Sequence, residues 1–182
     1  MKPEIKLHDK TFIPSIPYEK ISAAIDDVAA KLNADNAGCK DIPILICILN
    51  GSIMFTSELM KRLVFDIELV SMKVSSYQGI ASTGSVHQVM GLTGSVKGRR
   101  VYIVEDIIDS GNTIAALYDI LKGEGADSIE ICTMLFKPEA YKKDIPVNYV
   151  GLCIPNDFIV GFGLDYDGLG RNYKDIYVLK KD

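Results

Sequence analysis

The sequence has little of what nucleic acids, membranes or structural metals demand of a protein. Twenty lysines and arginines face 24 aspartates and glutamates, a formal net charge of −4 with histidine neutral, whereas a nucleic-acid surface needs a basic face. No apolar stretch approaches the roughly 20 residues of a membrane span, and Met1-Lys2-Pro3-Glu4 opens nothing like a signal peptide. The four cysteines (Cys39, Cys47, Cys132 and Cys153) are scattered without a CxxC pair, and Cys47 and Cys132 sit inside apolar runs. They read as buried free thiols, neither a metal site nor a disulfide framework. The two histidines, His8 and His87, have no ligand spacing, and the chain has no internal repeat and no low-complexity tract. What remains is 182 residues, 48% hydrophobic and 24% charged, enough for one compact domain with a substantial core. A cytoplasmic protein with neither nucleic-acid nor membrane partners is expected.

The elements alternate. Tyr18 to Asn33 has Ile21, Ile25, Val28 and Leu32 on one face and Pro17 at its start, which predicts a helix. "PILICIL" (Pro43 to Leu49) is continuously apolar, as a strand covered on both faces should be. Asn50-Gly51-Ser52 turns it into a helix from about Ile53 to Leu63. Strands are expected over Asp66–Ser75, Val86–Leu92 (paired with its predecessor), Val101–Val104, Ile129–Phe136, Tyr149–Ile154, Ile159–Leu164 and Asp175–Leu179. A helix is expected over Asn112–Lys122 and a short helical piece over Glu139–Lys142. Strand–helix alternation with apolar strands predicts an α/β fold, a mainly parallel sheet with helices on both faces. Ligands then bind at the carboxyl ends of the strands, which singles out Asn50-Gly51, Glu105 to Thr113, Lys137 and Asp165.

"VYIVEDIIDSGNT" (Val101 to Thr113) ends an apolar strand with two acids and then a small polar loop. The amino end of the following helix, with the Ser110 and Thr113 hydroxyls and flexible Gly111, makes a seat for a phosphate. The plainer alternative is that Asp109 or Ser110 only caps the helix. Glu105 and Asp106 come too early to belong to its first turn, and two carboxylates repel a phosphate unless a sugar or a cation lies between. Carboxylates accept from sugar hydroxyls and bind hard cations. Phosphate, polyol and divalent cation together describe a phosphorylated ribose.

Those thirteen residues resemble, at every position, the phosphoribosyl-pyrophosphate loop of the type I phosphoribosyltransferases. "ILNGSIMF" (Ile48 to Phe55), "SSYQG" (Ser75 to Gly79), "LFKPEA" (Leu135 to Ala140) and "PNDFIVGFGLDYDGLGRNYKDIYVL" (Pro155 to Leu179) are similar to segments of the hypoxanthine/guanine branch. The likeness spans about residues 5 to 180. It implies a single domain over residues 1–182, a parallel-sheet core flanked by helices, with a small hood formed from roughly 1–17 and 150–182. It also implies transfer of a phosphoribosyl group to a 6-oxopurine, with magnesium as cofactor, small-molecule substrates and a homodimer or homotetramer.

Residue by residue, the resemblance implies that Glu105 and Asp106 hold the ribose hydroxyls and, with Asp165, the metal. Asp109 would act as acid/base near purine N7, while Ser110, Gly111, Asn112 and Thr113 wrap the 5′-phosphate. Lys137 would donate to the purine O6, Phe158 stack on the ring, and Ile159 meet it through its backbone. Asn50, Gly51 and Arg171 would contact pyrophosphate, and Ser76 and Tyr77 would begin a mobile loop. Asn50 departs from the pattern, since many relatives have lysine there. Read without the resemblance, Lys137 is a surface lysine, Phe158 belongs to the core, and Arg171 pairs with Asp165 or Asp167. Two rival classes are a ligand-sensing regulator on the same fold and a flavodoxin-like phosphate-binding module. The second leaves Glu105-Asp106 and the Lys137, Phe158 and Asp165 set without a purpose. A xanthine-preferring enzyme is the nearest alternative within the family.

Overall fold

The apolar run that needs cover on both faces lies at the centre of the fold. The computed structural model describes residues 2–76, 86–90 and 94–181. In it β3 (Ile44–Leu49) is followed by α2 (Ile53–Met60), β4 (Glu68–Ser76) and β5 (Val86–Met90). Then come β6 (Arg100–Ile108), α3 (Asn112–Gly123), β7 (Ser128–Phe136) and β8 (Tyr149–Cys153). These strands form one sheet in the order β5-β4-β3-β6-β7-β8. All pairs are parallel except β4 with β5, which is antiparallel.

Alternate side chains go to opposite faces. Ile44, Ile46, Ile48, Val101, Ile103 and Ile131 pack against Ile114, Leu117 and Leu121 of α3. Leu45, Tyr102, Val104 and Cys132 meet the other layer. That layer includes α1 (Tyr18–Asp35), whose Ile21, Ile25, Val28 and Leu32 form the expected stripe, and Phe55 and Leu59 of α2. No side chain of Pro17 caps α1. Instead the Tyr18 N–H donates to Asp175 Oδ1 at 2.9 Å, so a buried carboxylate from the far end of the chain sits at the positive end of the helix.

The remaining strands are β1 (Ile5–Leu7), β2 (Lys10–Ile16), β9 (Ile159–Val160) and β10 (Ile176–Leu179). They make a second, antiparallel sheet in the order β1-β2-β10-β9. Ile16, Ile159, Phe162, Leu164 and Ile176 join the α1/α2 core, which seats this sheet as a hood on the main one. β8 pairs with β7 in the main sheet, so the hood strands come from residues 5–16 and 159–179.

Several local expectations change. The hairpin of β1 and β2 has no counterpart in the sequence reading. Where a helical piece is expected over 139–142, residues 138–140 form a turn, with the Ala140 and Tyr141 amides donating to the Lys137 carbonyl, because so short a length cannot sustain a helix. The strand expected over 159–164 stops at Val160, where Gly161 (φ +102°) turns the chain. The cysteines are all free, but Cys39 and Cys153 are exposed, while Cys47 and Cys132 are buried as expected. Among the described residues, no helix is long and apolar enough to cross a membrane.

Candidate active site at the carboxyl ends of the strands

Strand β6 runs further than its sequence suggests, and this shapes the site. Its ladder with β3 ends at Cys47–Val104, but its ladder with β7 continues through Glu105–Thr133 to Ile108–Phe136. Glu105 and Asp106 therefore do not leave the sheet. They stay paired on one side and lose their neighbour on the other, where the Asn50–Ser52 turn takes the vacated place.

That turn is packed through absent side chains. A Cβ built on Gly51 would fall 1.5 Å from Asp106 Oδ2, and one built on Gly163 (φ +98°) would fall 2.0 Å from the Gly51 carbonyl oxygen. Gly51 is thus held between an acid of β6 and the loop that follows β9. The peptide between Leu49 and Asn50 is cis. Ser52 is buried, and its hydroxyl donates to the Ile48 carbonyl at 2.6 Å.

On the α3 side, the loop after β6 encloses a cavity of about 110 Å³ lined by Glu105 and residues 107–114. Gly111 is the residue preceding α3, in the left-handed region at φ +81°, and no side chain caps the helix. Asp109 and Ser110 are therefore not caps. The helix's free amide ends, and its positive dipole end, face this cavity. Glycine is required at 111 by φ and by space, since a Cβ would lie 2.4 Å from the Tyr141 ring.

The acids of this region are held away from their usual state. Burial raises the Glu105 carboxyl well above the ordinary carboxylate range, and the neighbouring Asp106 carboxylate raises it further. Burial raises Asp106 too, opposed by hydrogen bonds from Glu105 and from the Ile107 N–H at 2.8 Å. Glu105 Oε2 is buried without a hydrogen-bond partner. A buried polar atom left unpaired calls for an explanation, and a ligand hydroxyl or cation would supply one. Glu105 holds its proton to higher pH when folded than when unfolded. It therefore costs the fold nothing at low pH, and the cost grows as pH rises through the unfolded value toward the folded one. Glu105→Gln should raise the melting temperature of the ligand-free protein at pH 7–8 by a few degrees, relative to wild type, and leave it unchanged at pH 4. A thermal melt across that range checks the sign.

Lys137 follows β7 and its backbone N–H donates to the Ile108 carbonyl at 3.0 Å. It is only 8% exposed, so it is not a surface lysine, and a buried ammonium needs partners. Its Nζ donates to Asp109 Oδ2 at 2.9 Å and to Asn156 Oδ1 at 3.3 Å. Phe158 is 43% exposed, its ring centroid 5.9 Å from Phe12 and 5.7 Å from Tyr166. It is a half-open aromatic face and not core. Ile159, in β9, has its side chain buried. Arg171 donates to the Gly163 carbonyl at 2.7 Å and pairs with Asp165 Oδ1 at 2.6 Å, while Asp165 Oδ2 accepts the Gly168 N–H at 2.7 Å. The pairing of Arg171 with Asp165 is thus real.

Two expected groupings fare differently. Among the described residues, no group of three or more His, Cys, Asp or Glu side chains could hold a metal, so Glu105, Asp106 and Asp165 do not form a three-carboxylate cage. Asp165 is instead taken by Arg171 and the Gly168 N–H. Ser76 ends β4, paired through its backbone with Val86, and Tyr77 lies outside the described residues. Asn156, Gly163 and Tyr141 were not foreseen. Asn156 and Gly163 lie inside the quoted carboxyl-terminal segment, but their partners are distant in sequence.

A sheet with this order, a hood over its carboxyl edge and an uncapped helix beside a paired-acid strand have the layout of an α/β enzyme with its cleft at the strand ends. A family model described as a phosphoribosyl transferase domain matches residues 17–167, and the chain belongs to that family. Within it, the chain is similar to the hypoxanthine-guanine phosphoribosyltransferase of Streptococcus pneumoniae, 43% identical over 168 residues and 92% of each chain. It is 41% identical to that of Streptococcus thermophilus over 90% of this chain and 91% of the other. A crystal structure of a hypoxanthine phosphoribosyltransferase from Staphylococcus aureus superposes with a TM-score of 0.85 at 38% identity, covering 92% of this chain and 90% of that one.

Proposed function

We propose that this phosphoribosyltransferase moves the 5-phosphoribosyl group of phosphoribosyl pyrophosphate onto N9 of a 6-oxopurine, hypoxanthine or guanine. The products are the nucleoside monophosphate and pyrophosphate. The observation that carries the reading is the Lys137–Asp109 ion pair, which stands at the rim of the uncapped phosphate cavity. It puts a purine-edge donor and a proton acceptor one bond apart, next to the seat for the sugar phosphate. The named activities of the relatives support the same choice.

In this reading the amides of residues 111–114, with the Ser110 and Thr113 hydroxyls, bind the 5′-phosphate. Glu105 and Asp106 accept from the ribose hydroxyls. Asp109 accepts or holds the purine proton as the glycosidic bond forms, and Lys137 donates to O6. The backbone at Gly51 and the Arg171 guanidinium receive the leaving pyrophosphate. The hood strands hold Phe158 over the ring and limit water at the reacting carbon.

Magnesium keeps several waters and takes one or two carboxylates plus substrate phosphates, not a protein cage. Asp106 against Gly51, the unpaired Glu105 Oε2 and Asp165 on the facing loop fit that demand. When bound, the ion would neutralise charge on the leaving pyrophosphate. The proposal takes residues 1–182 as one domain in a cytoplasmic setting and as a homodimer or homotetramer, which light scattering would decide.

The test is to incubate the protein with phosphoribosyl pyrophosphate, magnesium and hypoxanthine, and to quantify products by phosphorus NMR. Inosine monophosphate and pyrophosphate should form in equal amounts, and not at all with excess chelator. Pyrophosphate released without nucleotide would point to a hydrolase. Phe158→Ala should weaken all purines alike, by roughly 5- to 150-fold in kcat/KM, because stacking on an aromatic face is worth about 1–3 kcal/mol and does not depend on base identity. A loss confined to one purine would remove Phe158 from the stacking role.

A further inference from the structure

Lys137 can donate three hydrogen bonds, and the fold uses two of them in different ways. Asp109 takes one as a carboxylate on the same strand-end platform, and Asn156 takes one as a neutral amide from the turn between β8 and β9. That turn is anchored at both sides. The Ile154 N–H donates to the Phe136 carbonyl at 2.8 Å, next to Lys137, and the Phe158 carbonyl accepts the Leu179 N–H at 2.9 Å. The Asp157 N–H donates back to the Pro155 carbonyl at 2.9 Å, which tightens the corner that presents Asn156.

We propose that Asn156 is a positioning residue for the purine: its side-chain carbonyl ties Lys137, which reads the edge of the base, to the turn that carries Phe158, which covers its face. The role rests on the purine reading above. Its acceptor oxygen suits it. When Asp109 is engaged by the purine, Lys137 loses part of its one carboxylate partner among the described residues, and Asn156 still holds the ammonium in place. The third proton of Nζ is left for the base. Asn156 is itself exposed, so the fold does not depend on burying it, and its contact to Lys137 is the polar link between the two purine-facing groups.

Steady-state kinetics of the full chain, with each substrate varied in turn, test the idea in wild type, Asn156→Ala and Asn156→Asp. For Asn156→Ala, KM for hypoxanthine should rise about 3- to 10-fold, the range expected for the loss of one ordinary hydrogen bond. KM for phosphoribosyl pyrophosphate, kcat and the melting temperature should stay close to wild type. Asn156→Asp, which keeps an acceptor oxygen at the same reach, should restore the hypoxanthine KM. An unchanged hypoxanthine KM in Asn156→Ala overturns the proposal. So does an equal rise in both KM values together with a lower melting temperature, or a failure of Asn156→Asp to rescue. A wild type that turns over no purine sinks the purine reading itself, before the variants are compared.

Discussion

Asp109→Asn should lower kcat by about 100-fold or more, with KM for phosphoribosyl pyrophosphate changed little. General acid–base catalysis by a placed side chain contributes about 10²–10⁴-fold, and the amide preserves the volume while removing the proton acceptor. The structure sharpens the expectation in two ways. No side chain caps α3, so the loss cannot be attributed to a broken cap. Asp109 also accepts from the Lys137 ammonium, so the variant replaces the buried cation's carboxylate partner with a weaker neutral amide oxygen. KM for hypoxanthine should therefore rise as well, since Lys137 is held less firmly. Steady-state kinetics separate the two effects. A variant with wild-type kcat and a raised purine KM would make Asp109 a partner for Lys137 and nothing more.

Gly163→Ala should cost the fold about 2–4 kcal/mol and should also weaken pyrophosphate binding. Two costs coincide at this position. A backbone at φ +98° is open to glycine and strained for alanine, at about 1–3 kcal/mol. The added methyl would also stand 2.0 Å from the Gly51 carbonyl oxygen, with backbone on both sides and no flexible side chain to yield. The segment from Gly161 to Arg171 must then lift off Gly51. Arg171 bonds the Gly163 carbonyl and Asp165, so its guanidinium moves with it. A melting temperature lower by roughly 5–15 °C and a raised KM for pyrophosphate in the reverse reaction are expected. Gly98→Ala is a fair control, because Gly98 also has positive φ but an added Cβ there meets nothing within 4 Å. Equal losses in both variants would reduce the Gly163 effect to backbone strain.

Much of this arrangement was legible because its signals are local. The run of β3 and the Val101–Val104 stretch of β6 are apolar at every position, as strands covered on both faces should be. The loop from Glu105 to Thr113 carries the residues proposed for phosphate, sugar and proton chemistry within nine consecutive positions, and all of them but Asp106 line one cavity.

What stayed hidden was set by partners remote in sequence. β6 continues past its acids only because β7 remains alongside. The acids themselves carry no β signal. The β1–β2 hairpin was missed for a similar reason: β2 is seven residues with Pro14 inside, which argues against a strand. It is tolerated there because the ladder with β10 is irregular at the Ile176–Tyr177 step, beside Pro14. Neither the contact of Gly163 with Gly51 nor that of Asn156 with Lys137 follows from spacing, since each joins segments that meet only once the hood has docked.

The central claim is that the Lys137 end of the site selects a 6-oxo group. A 6-oxopurine presents an acceptor to this lysine, whereas adenine presents an amino donor that faces a cation with no acceptor. An unpaired buried polar group costs about 1–3 kcal/mol, or roughly 5- to 150-fold. The most direct measurement is the ratio of kcat/KM for hypoxanthine to kcat/KM for adenine, in wild type and in Lys137→Gln, whose amide offers both a donor and an acceptor. The account predicts a wild-type ratio of at least roughly 5- to 150-fold that falls several-fold in Lys137→Gln. A wild-type ratio near one, or a large ratio that the substitution leaves unchanged, would contradict it.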